Sequence, residues 1–210
     1  MDCDKTSEKL ISWNEENDCP VEYSLRLMNI VKKETCGQDV LCREGSLQIY
    51  EILKDITKGS GNREDYELLE DLLFQIKENV SCEMTKTAAE KCLNLMQEYE
   101  EEWRSHIERK RCSKLICEGT YTVYIDPQLC DGCGLCIEAC PEKAIIGGEG
   151  LIHVIESDKC SKNLKCIKVC PRNAIKKEGI LKPKVPEKPV PVGSFSSNST
   201  KGRRRRRRRE

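Results

Sequence analysis

Residues 130–141 read C-D-G-C-G-L-C-I-E-A-C-P, and this stretch decides the fold of the C-terminal half of the chain. Cys130, Cys133, Cys136 and Cys140 have the C-x2-C-x2-C-x3-C-P spacing that places three thiolates around one iron–sulfur cluster. The fourth cysteine, just before Pro141, ligates a different cluster where two such motifs occur in one chain. The stretch therefore predicts a second motif downstream.

A second motif follows thirty residues later, where Cys160, Cys166 and Cys170 repeat the positions of Cys130, Cys136 and Cys140. The dipeptide Ala144–Ile145 recurs as Ala174–Ile175 at the same offset. The spacing predicts a compact two-cluster ferredoxin module with pseudo-twofold symmetry. Its ligands come from both motifs, so the first [4Fe–4S] site would consist of Cys130, Cys133, Cys136 and Cys170.

The second site lacks one thiolate. Cys140, Cys160 and Cys166 are present, but Asn163 stands where the fourth cysteine belongs. An amide is a poor iron ligand beside a soft, anionic thiolate. The site could hold a [3Fe–4S] cluster, a labile [4Fe–4S] cluster with water or Asn163 at the odd iron, or no cluster. An occupied site is the favoured prediction, because the other three ligands and Pro171 are intact.

Composition restricts the class of protein. Of 210 residues, 34% are charged and 5% aromatic, which favours small metal-bound units over one large core. The 15 cysteines could form disulfides in a secreted protein. However, the start MDCDKTSEKL has no apolar signal segment, and no stretch is apolar enough to span a membrane. A cytoplasmic protein with metal-bound thiolates, and no membrane insertion, is expected.

The N-terminal half predicts helices. Amphipathic patterns cover residues 21–34, 44–57, 64–79 and 86–108. The predicted class is α+β, with a four-helix bundle before the ferredoxin module. The predicted domains are a flexible N-terminus (1–18), a bundle with a degenerate cluster site (19–111), a ferredoxin domain (112–179) and a disordered Pro/Ser-rich linker with a poly-Arg tail (180–210).

Residues 34–45 read E-T-C-G-Q-D-V-L-C-R-E-G. The run resembles E-S-C-G-x-C-x-P-C-R-E-G of the NADH-binding flavoprotein subunits of respiratory complex I. The related subunits of electron-bifurcating and NAD(P)-reducing hydrogenases and of formate dehydrogenases share it. The hydrogenase-type subunits also carry a two-cluster ferredoxin module after the bundle, in the order found here.

The resemblance implies a third cluster in the bundle, held by Cys36, Cys42 and Cys82, with Asp39 in place of the middle cysteine. That cluster could be [3Fe–4S], Asp-ligated [4Fe–4S] or absent. Alternatively, Asp39 accepts backbone hydrogen bonds at a helix start. The family's FMN and NADH sites lie upstream of the bundle. This chain has almost nothing upstream and no G-x-G-x-x-G run, so neither cofactor is expected to bind it.

The resemblance also suggests a zinc site at the junction of bundle and ferredoxin module. Its ligands would be Cys19, His106, Cys112 and Cys117. Three thiolates and one imidazole suit a closed, tetrahedral structural zinc. His106 could instead be an exposed helix residue, since charged residues surround it in the sequence.

These features predict an iron–sulfur electron-transfer subunit of a larger redox complex in anaerobic metabolism, of hydrogenase, formate dehydrogenase or NAD(P)H-oxidoreductase type. It would work with flavoprotein or dehydrogenase subunits and would not be catalytic alone. The alternative is a redox sensor that binds nucleic acid or an acidic partner through Arg203–Arg209. That tract carries no interleaved aromatic residues for base stacking, so a solvated tail is favoured.

Overall fold

The computed structural model describes residues 11–35, 37–179 and 183–195, and it combines helices with short strands. The chain divides into two compact units, Met1–Thr122 and Val123–Glu210. The predicted mixed α+β class is confirmed. No helix in these described ranges is long and apolar enough to cross a membrane.

The N-terminal unit is helical. Its elements are α1 (Pro20–Glu34), a π-helical turn (Leu41–Gly45), α2 (Ser46–Thr57), α3 (Asp65–Asn79), α4 (Glu83–Glu98), α5 (Glu100–Arg109) and a 3₁₀ turn (Glu118–Thr120). Pro20 stands at the first helical position of α1, where its missing N–H would have no partner anyway. Packing of α1 on α2 and of α3 on α4 buries one apolar face of each helix. The largest fully buried side chain of this core is Trp103.

The predicted long helix over residues 86–108 is two helices in the structure. Tyr99 leaves the helical conformation (φ −116°, ψ 35°), and α5 begins at the next residue. The Trp103 indole N–H donates to the Leu95 carbonyl across this break, at 3.2 Å. Because the apolar spacing continues through Tyr99, the periodicity alone does not mark the interruption.

Ile11 and Trp13, in the N-terminal segment predicted to be flexible, pack against the helical core. The Tyr23 hydroxyl donates to the Ile11 carbonyl at 2.7 Å. The Trp13 ring lies edge-on to Tyr23, with centroids 5.2 Å apart, and 5.6 Å from the Tyr99 ring. These aromatic contacts anchor the segment. Its polar composition gave no indication of them. Residues 1–10 of that prediction lie outside the described residues.

The C-terminal unit consists of short strands and two short helices. Its elements are β1 (Thr122–Ile125), α6 (Leu135–Glu138), β2 (Ile145–Ile146), β3 (Leu151–Ile152), β4 (Val154–Ile155), α7 (Lys165–Val169), β5 (Ile175–Glu178) and β6 (Val190–Pro191). The strand pairs are β1 with β5, β2 with β4 and β3 with β6. The Asp126 N–H donates to Ala174 O at 2.7 Å, and the Glu156 N–H donates to Ala144 O at 2.8 Å. These equivalent bonds interleave the two sequence repeats, which brings cysteines of both repeats together.

Part of the segment predicted as a disordered linker forms a strand. In β6, Val190 pairs with Ile152 and Pro191 with Leu151, antiparallel. The Val192 N–H then donates to Gly150 O at 3.0 Å. A proline is tolerated in such an edge strand because no ladder donor is needed on its outer side. The arginine tract lies outside the described residues.

Candidate metal centres

The first ferredoxin site brings together the four cysteines that the spacing predicted. Burial of Cys136, followed by the nearby Cys130, Cys133 and Cys170 thiols, raises the pKa of Cys136 to about 12. Cys130 and Cys136 are buried, whereas Cys133 is exposed. Cys170 comes from the other repeat, as the crossed arrangement requires. Four thiolates in one place repel one another, so this donor set fits a cationic iron–sulfur core.

Glycines shape the loop of the first site. Gly132 and Gly134 have left-handed backbone angles, φ 75° and 82°. A Cβ on Gly132 would also lie 2.8 Å from the backbone nitrogens of Gly150 and Leu151, so glycine is required there on two grounds. The Ala174 N–H donates to Cys170 Sγ at 3.3 Å. Such backbone donors stabilise negative charge on ligand sulfurs.

The second site gathers three cysteines. Burial and then the Cys160 and Cys140 thiols raise the pKa of Cys166. The Ala144 N–H donates to Cys140 Sγ at 3.4 Å, which repeats the bond to Cys170 in the first site. A small cavity is lined by these three cysteines. The donor set fits a cluster that needs three thiolates.

Asn163 lines the same cavity, but both of its polar atoms are engaged. Its Nδ2 donates to Glu142 Oε2 at 2.7 Å, and its Oδ1 accepts the Lys165 N–H at 3.0 Å. The Ser161 hydroxyl donates to the other Glu142 oxygen at 2.6 Å. Ligation by Asn163 would therefore require these hydrogen bonds to break. Sequence reasoning missed Glu142, which follows the Cys–Pro pair and gave no separate signal.

The bundle set is only partly described. Cys42 Sγ lies 2.7 Å from Thr35 Oγ1 and 3.1 Å from Thr85 Oγ1. Burial raises the pKa of Cys42, the two hydroxyls lower it, and the adjacent Cys82 raises it. Cys42 and Cys82 therefore lie together, while Cys36 lies outside the described residues. The two threonines were missed, because neither belongs to the cysteine pattern.

Asp39 makes a local contact. Its Oδ1 accepts the Leu41 N–H at 2.9 Å, immediately before the π-helical turn. This is the backbone-capping role that was the alternative to ligation. Carboxylates at helix starts commonly accept such bonds, so Asp39 has a structural role without a metal.

The four candidate zinc ligands come together and are all buried. Their donor atoms in Cys19, His106, Cys112 and Cys117 lie within 4.8 Å of one another. Cys19 Sγ is 3.3 Å from His106 Nε2 and 3.7 Å from Cys117 Sγ. A tetrahedron with metal–sulfur arms of about 2.3 Å has edges of about 3.8 Å. The donor chemistry and the spacing both fit Zn²⁺.

Neighbouring groups hold His106 in a ligating orientation. Its Nδ1 lies 2.8 Å from the Glu102 carbonyl, so Nδ1–H donates there and Nε2 faces the thiols. The Glu102 carboxylate accepts the Ser113 N–H at 2.9 Å, beside Cys112. Glu102 therefore positions two ligands. The exposed-helix alternative for His106 does not fit its complete burial.

The sulfurs and the imidazole of this group shift one another's pKa values. Burial alone lowers the pKa of His106, but the Cys112 and Cys19 sulfurs raise it to about 10. Hydrogen bonds from Cys117 and Cys19 lower the pKa of Cys112. The group thus already favours a buried thiolate, which a divalent cation would neutralise.

One buried histidine near the first site was also missed. His153 Nδ1 lies 3.3 Å from Cys136 Sγ, and the ring is 2% exposed. A polar residue within the apolar run Leu151–Ile155 was the available signal.

The chain contains two consecutive iron–sulfur domains. Residues 22–106 match the NADH-ubiquinone oxidoreductase-F iron–sulfur binding region, and residues 122–171 match the 4Fe-4S dicluster domain. The chain is homologous to the relatives that follow, so the predicted resemblance is confirmed.

Among these relatives is the NADP-reducing hydrogenase subunit HndC of Solidesulfovibrio fructosivorans, 37% identical over 66% of this chain and 28% of that protein. The F-subunit of the NADH-quinone oxidoreductase of Streptomyces coelicolor is 28% identical over 50% of this chain and 23% of its own length. A corresponding F-subunit of Rhizobium meliloti is 31% identical over 47% of this chain and 23% of its own length. The chain therefore spans about a quarter of the length of these relatives.

Proposed function

We propose that this chain relays single electrons through [4Fe–4S] clusters as a cytoplasmic subunit of a larger redox complex. The complex would be of the hydrogenase, formate dehydrogenase or NAD(P)H-oxidoreductase type. The observation that carries the proposal is the convergence of Cys130, Cys133 and Cys136 with Cys170 of the other repeat. The names of the relatives, subunits of a hydrogenase and of NADH-quinone oxidoreductases, support partner subunits of that kind.

The residues of the C-terminal unit have separate tasks in this proposal. Cys130, Cys133, Cys136 and Cys170 would hold the first cluster, which when bound accepts and releases one electron. Because Cys133 is exposed, one edge of that site would lie at the surface of its unit, where a redox partner could approach it.

The second site would serve as an additional relay. Cys140, Cys160 and Cys166 would hold a [3Fe–4S] or labile [4Fe–4S] cluster. The engaged side chain of Asn163 favours the three-thiolate form, because the amide already satisfies its hydrogen bonds elsewhere.

The N-terminal unit would be stabilised by zinc. Cys19, His106, Cys112 and Cys117 would hold one Zn²⁺ with no open coordination position, which gives a structural role. The third cluster, at Cys36, Asp39, Cys42 and Cys82, stays a prediction that rests on the family resemblance and on the proximity of Cys42 to Cys82.

Metal analysis of anaerobically purified full chain tests the proposal. We expect iron and acid-labile sulfide, about one zinc per chain, and an electron paramagnetic resonance signal after reduction. Purified protein without iron and sulfide would refute the electron-transfer role. Zinc without sulfide would instead indicate a purely structural metal protein.

Matched cysteine variants assign the centres. Cys112→Ser should remove zinc and leave the ferredoxin signal, whereas Cys170→Ser should remove the first cluster and leave zinc. Cys92→Ser is the control, because Cys92 is a fully buried thiol outside all four candidate ligand sets, and burial raises its pKa to about 12. Equal metal loss in all three variants would contradict the assignments.

The alternative, a redox sensor that binds nucleic acid or an acidic partner, depends on the arginine tract, which lies outside the described residues. A nucleic-acid binding assay on the full chain and on a 1–200 truncation tests it. Binding that disappears with the truncation, while the clusters stay unaltered, would favour this alternative.

A further inference from the structure

We propose that His153 is a positioning residue for the first cluster site: its imidazole donates an Nδ1–H hydrogen bond to Cys136 Sγ and raises the reduction potential of the cluster held there. The inference rests on the proposed function, because it requires a cluster at Cys130, Cys133, Cys136 and Cys170.

The imidazole is seated against the ligand by the surrounding backbone. His153 lies between β3 and β4, is 2% exposed, and has Nδ1 3.3 Å from Cys136 Sγ. A Cβ on Gly147 would lie 2.0 Å from Cδ2 of the His153 ring. Gly147 does not have a left-handed backbone, so space for the ring is the reason that glycine is needed there.

Hydrogen-bonding logic selects the tautomer. His153 Nε2 is buried and has no hydrogen-bond partner among the described residues. A metal-bound thiolate has no proton to donate, so the contact with Cys136 is a hydrogen bond only if Nδ1 carries the proton. The reverse tautomer would leave both ring nitrogens unpaired in a buried place, which costs free energy.

The sequence repeat provides an internal comparison. His153 stands seven residues before Cys160, and Val123 stands seven residues before Cys130. Val123 lines the cavity of the second site, together with Cys140, Cys160 and Cys166. Each cluster site therefore has one side chain at this equivalent position, an imidazole at the first and an aliphatic group at the second.

The expected effect follows from charge. Reduction adds one electron to the cluster, and part of that charge resides on the ligand sulfurs. An N–H donor stabilises the more negative state more strongly, so it raises the potential. We expect loss of the donor to lower the equilibrium constant for reduction about tenfold, which corresponds to about 59 mV for a one-electron couple.

Redox titration of the full chain, followed by electron paramagnetic resonance, tests this inference. His153→Phe removes the donor and keeps an aromatic ring, and it should lower the midpoint potential of the first cluster. His153→Asn keeps an N–H donor near the Nδ1 position, so its midpoint potential should lie close to that of the wild type. Tyr124→Phe is the matched control, because Tyr124 lines the same cavity as His153 and the substitution removes only a hydroxyl; it should leave the potential unchanged.

Nitrogen-15 histidine labelling adds a direct readout. The chain contains only 2 histidines, so a labelled nitrogen coupled to the reduced cluster in pulsed spectra is readily assigned. We expect the coupling in the wild-type chain and its loss in His153→Phe. If His153→Phe fails to assemble a cluster, the labelled wild-type spectrum decides by itself.

The outcomes separate the two proposals. The role of His153 would be overturned if the wild-type chain held a cluster but showed no coupling to labelled nitrogen. It would also be overturned if the midpoint potential of His153→Phe equalled that of the wild type. Either outcome would leave the electron-transfer proposal standing. A wild-type chain without a cluster would overturn both.

Discussion

The two cysteine loops of the C-terminal unit adopt the same backbone with different residues. In the first loop, Gly132 and Gly134 have φ 75° and 82°; in the second, Lys162 and Leu164 occupy the same positions with φ 56° and 59°. A left-handed conformation costs a residue with a side chain about 1–2 kcal/mol. The second loop thus keeps its shape at some cost and without its fourth thiolate. The comparison teaches that loop shape and ligand number are independent properties.

The largest expected effect separates the two sites by their ligands. Cys136→Ser should abolish the signal of the first cluster, because serine is a hard and weakly acidic ligand for iron. Cys166→Ser should remove the second centre and leave the first cluster nearly intact. Spectra and iron content of the anaerobic variants are the measurement. Loss of both centres in Cys166→Ser would show that the loops do not function separately.

Restoring the missing thiolate tests the reason for the difference. Asn163→Cys should convert the second site into a four-thiolate site and add about one iron per chain, because only the fourth ligand is lacking. Ser161→Cys is the control, since Ser161 lies in the same loop and contacts the same Glu142 without occupying the ligand position. Iron and sulfide analysis with Mössbauer spectra distinguishes the cluster types. An equal gain of iron in both variants would contradict the role of position 163.

The glycines of the first loop provide a smaller, graded effect. Gly132→Ala should destabilise the chain by about 3 kcal/mol or more, because its Cβ would meet backbone atoms 2.8 Å away. Gly134→Ala should cost only about 1 kcal/mol, since its Cβ would meet no described residue within 4 Å except its chain neighbours, and only the φ angle opposes it. Anaerobic denaturant titration compares the two. Equal losses of unfolding free energy in the two variants would show that the close approach of Gly150 is not the reason that glycine is required at position 132.

The smallest effect is a gain in the second loop. Leu164→Gly should stabilise the chain by up to about 1 kcal/mol, because glycine adopts the left-handed angle without steric cost. Ile167→Gly is the control, since it places glycine in α7, where glycine is unfavourable. Thermal unfolding under anaerobic conditions is the measurement. A loss of stability in Leu164→Gly would mean that side-chain contacts of Leu164 outweigh its backbone strain.

The proximity of the ferredoxin cysteines could be predicted from the sequence, because their spacing along the chain limits their separation in space. Cys130 lies in the loop before α6 and Cys136 in α6 itself, so the short stretch of chain between them limits their distance in space. The position of Cys170 beside the first motif was predictable only because the motif occurs twice in the sequence. The mixed helical and strand character of the chain was also predictable, because amphipathic patterns and the cysteine repeat are local sequence features.

Contacts between distant residues were not predictable in this way. Nothing in the local pattern pairs Val190 with Ile152, and neither residue is unusual for its position. The ring of His153 reaches Cys136 because of the way the strands pair. The sequence repeat did not predict this contact, because the residue equivalent to His153 in the first repeat is Val123. The contacts of Trp13 with Tyr23 and Tyr99 likewise join residues on different elements. Each case depends on packing between elements.

The order of synthesis matters for the Cys19, His106, Cys112 and Cys117 centre. Cys19 leaves the ribosome first, and Cys117 follows 98 residues later. At typical translation rates of about 5–20 residues per second, Cys117 is synthesised on the order of 5–20 s after Cys19. During that interval Cys19 is open to oxidation or to capture of a stray ion. The zinc binding proposed for this centre would therefore be possible only after Cys117 has been synthesised.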